Sequence, residues 1–363
     1  METIRVDLSE REYDVLVGTG TLGRIGSFLE KADRIAVIAD ERVAGIHGEK
    51  LERALAGAGR RKTAWLNVPA GEACKTLEWF GRTQQFLLEA GCTRQSLVIA
   101  FGGGACGDLA GFAAACYMRG IDFIQCPTTI LAHDSSVGGK TGINLPGGKN
   151  MTGAFHQPAA VLYDTDLLKT LPAEEIRSGM AEAVKHQLIS PSGNAGEMLS
   201  ELNYGDMDEQ TLLQYIVRGI QVKAEIVSQD EREGSVRKYL NFGHTYGHAV
   251  EAAAGYGGLT HGESVMIGML YALILSERLA GADRSVTDAL QHFAERNGYP
   301  LKAAADFPFS ELFAYMKKDK KASFGELQFV LLPETGRPEI GKAEEEDCRE
   351  ADEELRKRLG VQP

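Results

Sequence analysis

The chain has 363 residues, 44% hydrophobic and 25% charged, with 39 Lys and Arg against 51 Asp and Glu for a formal net charge of -12. This is the composition of a soluble globular protein with a length that suggests two domains, and its acidity argues against general nucleic-acid binding, which leaves a basic footprint. The charged, alternating start METIRVDLSE is neither a signal nor a transit peptide, and the longest strongly apolar stretch, residues 266–275, is too short to cross a bilayer, so the expectation is a cytoplasmic protein with no membrane partner.

Up to about residue 165, short apolar runs alternate with helical stretches. Residues 35–39 (IAVIA) read as a buried strand ended by Asp40, and a helix is expected through Ala56. Residues 63–68 predict a second strand and 77–90 a helix, with further strands at 96–100, 123–126 and 161–163. Strands alternating with helices imply a largely parallel sheet covered on both faces. After Thr170-Leu-Pro172 the periodicity changes, and 174–188, 210–225, 243–254, 262–280 and 286–297 all read as helices. Residues 327–332 suit one strand of a closing hairpin. The stretch 344–358 reads as a charged, solvated surface helix with Glu345/Arg349 and Glu354/Arg358 at i,i+4 spacing. The fold class is therefore α/β: a Rossmann-like parallel-sheet domain over 1–168, then a mostly α-helical domain over 169–363. The six cysteines (Cys74, Cys92, Cys106, Cys116, Cys126, Cys348) include no C-x-x-C pair and read as reduced thiols.

Four segments carry chemistry. In FGGGACGDLAG, Gly102, Gly104 and Gly107 fit G-x-G-x-x-G after an apolar run, which reads as a dinucleotide fingerprint or as tight strand-to-helix packing. It follows the third or fourth strand rather than the first, and Asp108 falls in the expected first helical turn, where a carboxylate would repel a pyrophosphate on the same amides. Asp122 lies about twenty residues on but precedes a strand, so Asp40, which ends one, is the better ribose candidate. In TYGHAVEAAAGYGGLTHGES, His244 and His248 share a helix face and His261 opens another helix; such histidines serve as metal ligands or as capping and core groups. In SGMAEAVKH, Glu182, Lys185 and His186 share one face of an apolar helix, where Glu182 is costly to bury without a cation or metal. Glu182 with two of these histidines would form a two-His, one-carboxylate set suited to Zn²⁺ as Lewis acid. In HDSSVGGKTGINLPGGKN, read as a long Gly/Ser/Lys loop, Asp134, Lys140, Lys149 and Asn150 suit a phosphate or carboxylate.

Together these segments resemble the 3-dehydroquinate synthase family. The matching stretches run in family order over roughly 70–325: GEACKTLE, GGGACGDLAGFAAACYMRG, PTTILAHDSSVGGKTGIN, GKNMTGAFHQP, DTDLLKTLP, SGMAEAVKH, LNFGHTYGHAVE, HGESVMIGM and KKDKK. The resemblance implies NAD and a divalent metal, Zn²⁺ or Co²⁺, as cofactors, and 3-deoxy-D-arabino-heptulosonate 7-phosphate (DAHP) as substrate. It implies Glu182, His244 and His261 as metal ligands. Asp40, Glu72, Lys75, Gly103, Gly104, Asp108, Thr128 and Thr129 match cofactor contacts, with Lys140 and Lys149 shared between cofactor and substrate. Asp134, Lys185, Lys223, Arg237, Asn241, His248 and Asn150 match substrate positions. Arg119 and Lys320, or Lys321 in its place, match the phosphate side, and Arg119 is expected near the interface of a homodimer. Lys140, Asn150, Arg119 and His248 would hold the phosphate, and Lys149, Lys223, Arg237 and Asn241 the carboxylate side or ring hydroxyls.

The implied chemistry is that of a phosphorus–oxygen lyase: transient oxidation by NAD, phosphate elimination, re-reduction, ring opening and intramolecular aldol closure to 3-dehydroquinate. The substrate's own phosphate can take the proton at the elimination step, so no strong protein base is required there. The sequence departs from the family pattern at LAHDSS, one residue short of the commonest form, at Arg42, and at Ala105-Cys106. The competing readings are another sugar-phosphate cyclase, whose substrate lacks the carboxylate, a metal-dependent polyol dehydrogenase, and a catalytically silent nucleotide-binding or scaffold protein.

Overall fold

The computed structural model describes residues 1–8, 11–59, 63–146, 148–255, 258–319 and 327–361, and the chain divides into two compact units. The first comprises Met1–Leu171 and Lys223–Arg232, and the second Pro172–Val222 and Glu233–Pro363.

The first unit runs β1 (Glu2–Val6), β2 (Tyr13–Gly18), β3 (Ile35–Asp40), α1 (Glu41–Gly57), β4 (Ala64–Val68), α2 (Leu77–Glu89), β5 (Leu97–Gly102), α3 (Gly104–Cys116), β6 (Asp122–Pro127), α4 (Ala132–Ser135), β7 (Lys140–Leu145), β8 (Gly148–Phe155) and β9 (Ala160–Asp164). Seven strands form one sheet in the order β4-β3-β5-β6-β9-β2-β1, parallel throughout except for β1 against β2. Every residue of β3, β5 and β9 is buried, which explains their unbroken apolar runs. Alternate residues serve opposite faces: Val37 and Ile99 join Leu51 and Leu55 of α1, while Ile38 and Val98 join Leu87 of α2 and Leu109 of α3. From β3 the chain builds β4 on one side and β5 on the other. The carboxyl ends of β3 and β5 therefore flank a topological switch point, where open α/β sheets bind ligands.

Two corrections fall in this unit. The stretch expected as a long loop after Asp134 is instead an antiparallel hairpin, β7 against β8, preceded by the short helix α4. Strands β1 and β2 were not expected: β1 is an alternating charged stretch, half-exposed at the sheet edge, and β2, buried between β1 and β9, offers only the short apolar run Val15-Leu-Val17.

Just beyond β8, His156 donates from Nε2 to the Ile121 carbonyl at 2.9 Å and stacks on Phe123. Burial, the largest influence, and then Arg11 push its imidazole below the usual histidine value, against the pull of the Ile121 carbonyl and Asp122. The unfolded chain thus takes up more protons than the folded one near pH 6.5, so stability present above that pH is lost as pH falls towards the folded value. A His156→Gln variant is expected to lose less Tm than the parent between pH 7 and 5; parallel Tm curves would contradict this.

The second unit contains α5 (Ala173–Ile189), α6 (Ala195–Glu201), the greater part of α7 (Glu209–Gln229), α8 (His244–Ala254), α9 (His261–Ala280), α10 (Arg284–Arg296), α11 (Phe309–Asp319), β10 (Gln328–Glu334), β11 (Arg337–Lys342) and α12 (Glu345–Arg358). Pro172 precedes α5, where its missing N–H costs nothing. In α9 residues 262–276 are all buried, which accounts for the apolar run at 266–275 as a core helix, with α5, α8, α10, α12 and β10 against it. No helix among the described residues is long and apolar enough to cross a membrane.

The expected solvated tail helix is half wrong. Glu345/Arg349 and Glu354/Arg358 pair at 3.0 and 2.9 Å as the spacing predicts. Yet Cys348, Ala351 and Leu355 are buried, and Asp352 pairs with Arg356 at 2.6 Å in the interior while accepting from the Tyr246 hydroxyl. One face of α12 is core.

Candidate active site

In the first unit the switch point gathers the nucleotide-type residues. β5 ends at Gly102, and Gly103 precedes α3 with no side chain capping that helix. The leading amides of the 13-residue α3 are thus available to an anion. Closeness forbids side chains here: a Cβ on Gly104 would lie 2.7 Å from Ser135 Oγ, and one on Gly103 3.1 Å from Thr129 Cγ2. Asp108 is the fifth residue of α3, beyond the first turn in which it was expected, so the repulsion argued from that position lapses. Its carboxylate accepts from Lys75 Nζ at 2.7 Å. Burial pushes the Asp108 carboxyl up, with Lys75 pulling the other way. Burial also works against the Lys75 charge, but Asp108 and Glu72 outweigh it and hold the ammonium above its ordinary value.

Asp40 ends β3 and caps α1, its Oδ1 accepting from the amides of Arg42 and Val43 at 2.9 and 3.2 Å. Its Oδ2 accepts from the Gly71 amide at 3.2 Å, fastening the Glu72–Lys75 turn to the strand end. Thr128 leaves β6 with its amide on the Gly102 carbonyl, and the Tyr163 hydroxyl donates to the Thr129 carbonyl at 2.6 Å. Asp122 opens β6 at the other end of the sheet, beside Leu97, and pairs with Arg11 at 3.0 Å.

Lys140 is exposed at the start of β7, and Lys149 and Asn150 lie on β8. Lys223 donates to the Asp134 carboxylate at 2.9 Å and also to its main-chain carbonyl. Arg119 stands in a turn where Met118, Arg119 and Gly120 all have left-handed φ, at 49°, 68° and 116°.

In the second unit α5, α8 and α9 place Glu182, His244, His248 and His261 in one cluster. Glu182 is buried, with Oε2 held by Lys185 one helical turn on. Its Oε1 lies 3.4 Å from His244 Nε2 and 3.5 Å from His261 Nε2. Two donors each about 2.1 Å from one tetrahedral ion stand about 3.4 Å apart, so this spacing fits Zn²⁺ or a similar cation. The remaining ring nitrogens are also engaged: His244 Nδ1 with the Phe242 carbonyl at 3.1 Å and His261 Nδ1 with Glu251 Oε2 at 3.3 Å. Such outer partners orient Nε2 and raise ligand basicity. Burial, then Lys185, pushes the His244 imidazole well down, keeping it neutral. At His261 burial opposes the charge, but Glu182 and Glu251 outweigh it and raise the imidazole to about 9. One nitrogen each of His244, His248 and His261 also lie within 4.8 Å of one another, which keeps His248 beside the cluster.

Arg237 is buried in this unit, and Asn241 Nδ2 donates to Glu233 at 2.7 Å. Lys320 and Lys321 lie outside the described residues. The sequence reading missed Glu251, although it follows His248 at i+3 on the same helix, and it missed Glu233 and Asn144.

A parallel sheet with a bare helix N-terminus at its switch point, followed by a helical unit with a carboxylate–imidazole cluster, is an architecture suited to an enzyme that takes a nucleotide-type anion and a divalent cation. Two solved structures share it over 97% of this chain and 99% of their own: 2-deoxy-scyllo-inosose synthase complexed with carbaglucose-6-phosphate, NAD⁺ and Co²⁺ (27% identical, TM-score 0.86), and 2-epi-5-epi-valiolone synthase from Streptomyces hygroscopicus subsp. jinggangensis 5008 with NAD⁺ and Zn²⁺ bound (26%, TM-score 0.85). The families described as 3-dehydroquinate synthase N-terminal and C-terminal match residues 65–178 and 179–322. The 3-dehydroquinate synthase of Lysinibacillus sphaericus (strain C3-41) is 49% identical over 360 residues, 98% of each chain. The chain belongs to the 3-dehydroquinate synthase family.

Proposed function

We propose that the protein is a 3-dehydroquinate synthase, converting DAHP to 3-dehydroquinate and phosphate with NAD and Zn²⁺ or Co²⁺. The observation that carries this reading is the tetrahedral spacing of Glu182 against His244 and His261 in a chain of this family. When bound, NAD supplies a reversible hydride acceptor and the cation polarises a substrate hydroxyl. The chain's own residues bind and orient. Glu182, His244 and His261 hold the cation, with Lys185 and Glu251 fixing two of them. The N-terminal amides of α3, with Asp40, Glu72, Lys75, Asp108, Thr128 and Thr129, hold NAD. Lys149, Arg237, Asn241 and Lys223 take the carboxylate side, and Lys140, Asn150, His248 and Arg119 the phosphate. These cations concentrate positive charge at the anion's site in a protein of net charge -12. Residues 1–168 would thus serve the cofactor and half of these substrate groups, and 169–363 the metal and the other half.

Homodimer formation is part of the proposal, supported by the strained turn at Arg119 beside exposed Met118 and by Met151 and Phe155, exposed on one face of β8. A cytoplasmic location is supported by six free cysteines, five of them buried, and is tested by co-fractionation with a cytosolic marker.

Purified protein given DAHP, NAD⁺ and Zn²⁺ is expected to release phosphate and form 3-dehydroquinate without bulk NADH, and to sediment as a dimer. No phosphate release would sink the reading. NADH accumulating stoichiometrically would mark a dehydrogenase, and turnover of sedoheptulose 7-phosphate or glucose 6-phosphate in preference to DAHP another cyclase.

A further inference from the structure

Asn144 occupies an irregularity in the β7–β8 ladder. Ile143 faces Thr152 while Leu145 faces Gly148, so Lys149, Asn150 and Met151 all lie opposite Asn144. A bulge of this kind leaves amides without ladder partners and re-aims side chains. Here Asn144 itself supplies one such partner. Its Oδ1 accepts from the Asn150 amide at 2.9 Å, its Nδ2 donates to Glu72 Oε2 at 2.8 Å, and its own amide donates to the Lys75 carbonyl at 2.8 Å. Asn150 is thereby held at φ 56°, a left-handed conformation that is uncommon outside glycine. The ring closes from the other side. Lys75 Nζ donates to Asn150 Oδ1 at 2.6 Å, and Glu72 Oε1 lies 3.8 Å from Lys149 Nζ.

We infer that Asn144 is a positioning residue that joins the cofactor-type turn Glu72–Lys75 to the substrate-type groups Lys149 and Asn150. The inference rests on the function proposed above, and Asn144 acts only through its neighbours. One amide side chain reads both segments, its oxygen setting the backbone of Asn150 and its nitrogen the carboxylate of Glu72. Ordering one segment therefore lowers the cost of ordering the other. NAD bound at the turn tightens the hairpin, and by linkage substrate bound at the hairpin tightens NAD by the same factor.

The test uses full-length Asn144→Ala and Asn144→Asp, with three readouts: NAD affinity by fluorescence without substrate, KM and kcat for DAHP, and amide hydrogen exchange over residues 140–155. Asn144→Ala is expected to weaken NAD and raise KM for DAHP by about tenfold each, the loss of about one net hydrogen bond on either side, with a smaller change in kcat. NAD should slow exchange in the hairpin of the parent and no longer do so in the variant. Asn144→Asp keeps the acceptor for the Asn150 amide but sets a second carboxylate against Glu72. It should therefore lose NAD affinity more than DAHP affinity, and Glu72→Gln in the same chain should recover part of that loss by restoring a donor. A purely structural asparagine would lower Tm and leave the NAD effect on hairpin exchange intact, which overturns the inference. Unchanged NAD affinity in Asn144→Ala overturns it equally. If Asn144→Ala fails to fold, Asn144→Asp and its double variant decide. If the parent releases no phosphate from DAHP the functional reading fails, while NAD affinity and exchange still judge the clasp.

Discussion

Replacing His261 with Ala is expected to abolish bound Zn²⁺ or Co²⁺ and phosphate release while leaving the far-ultraviolet circular dichroism unchanged. The imidazole stands at the first position of α9, with Nε2 3.5 Å from Glu182 Oε1. Without it, Glu182 and His244 are left as a two-donor set, too few to compete with water for a divalent cation. Loss of an outer partner alone typically costs about 10–100-fold in metal affinity or activity, so loss of a donor should exceed that range, and Glu251→Gln should fall within it. The fold should survive because other groups anchor the start of α9. Thr260 and Glu263 form a reciprocal capping box there, and Arg177 pairs with Glu263 at 2.9 Å. Metal content by elemental analysis decides the point. Stoichiometric metal in His261→Ala would remove His261 from the ligand set and turn attention to His248, the third imidazole of the cluster.

How far the sequence foretold this molecule depends on whether a signal is local. The strands β3, β5 and β9 were legible because burial on both faces leaves unbroken runs of Val, Ile, Leu and Ala. The hairpin β7–β8 was not, since its Gly, Lys and Asn content reads as loop. Tertiary packing makes it a strand pair: Thr141 and Ile143 are buried, and β7 lies against α3, where Gly111 leaves room for Thr141. In α12 the charged majority concealed a buried stripe at Cys348, Ala351 and Leu355, and an interior Asp352–Arg356 pair has the same i,i+4 spelling as a solvated one.

The candidate site divides in the same way. Spacing joined His244 with His248 and put Glu182 beside Lys185 and His186 on an apolar helix face, where a carboxylate calls for a cation. Only the resemblance chose His244 and His261 as its two histidines. The glycine segment looked misplaced by strand count, yet the sheet order puts it at the switch point beside β3, which a count along the chain does not reveal. Glu251 and Asn144 escaped notice because each works by holding another residue, and such a role has no spelling of its own.

Gly268→Ala, a single added methyl, is expected to disable the same cluster through the backbone. Helices α8 and α9 meet main chain to main chain. A Cβ on Gly268 would fall on the Gly243 carbonyl oxygen and 2.7 Å from the Gly247 nitrogen, while one on Gly247 would lie 2.8 Å from the Ser264 carbonyl oxygen. No flexible side chain stands in the way to give ground, so α8 itself must shift. Alanine gains about 1 kcal/mol in helix propensity over glycine, but overpacking against rigid neighbours costs about 1–3 kcal/mol or more. The packing cost wins here, and Tm should fall by roughly 1–2 °C for each net kcal/mol in a chain of this size. Gly45→Ala supplies the opposite sign: Gly45 is exposed on α1 with nothing within 4 Å of an added Cβ, so Tm should hold or rise. Displacing α8 carries His244, His248 and Glu251 away from His261 and Glu182, and donors spaced 3.4–3.5 Å apart tolerate little drift. Metal affinity should therefore drop even at temperatures where Gly268→Ala remains folded. A variant that kept the parent's Tm and metal affinity would show that the two helices can part without cost, and that their glycine contact does not set the geometry of the cluster.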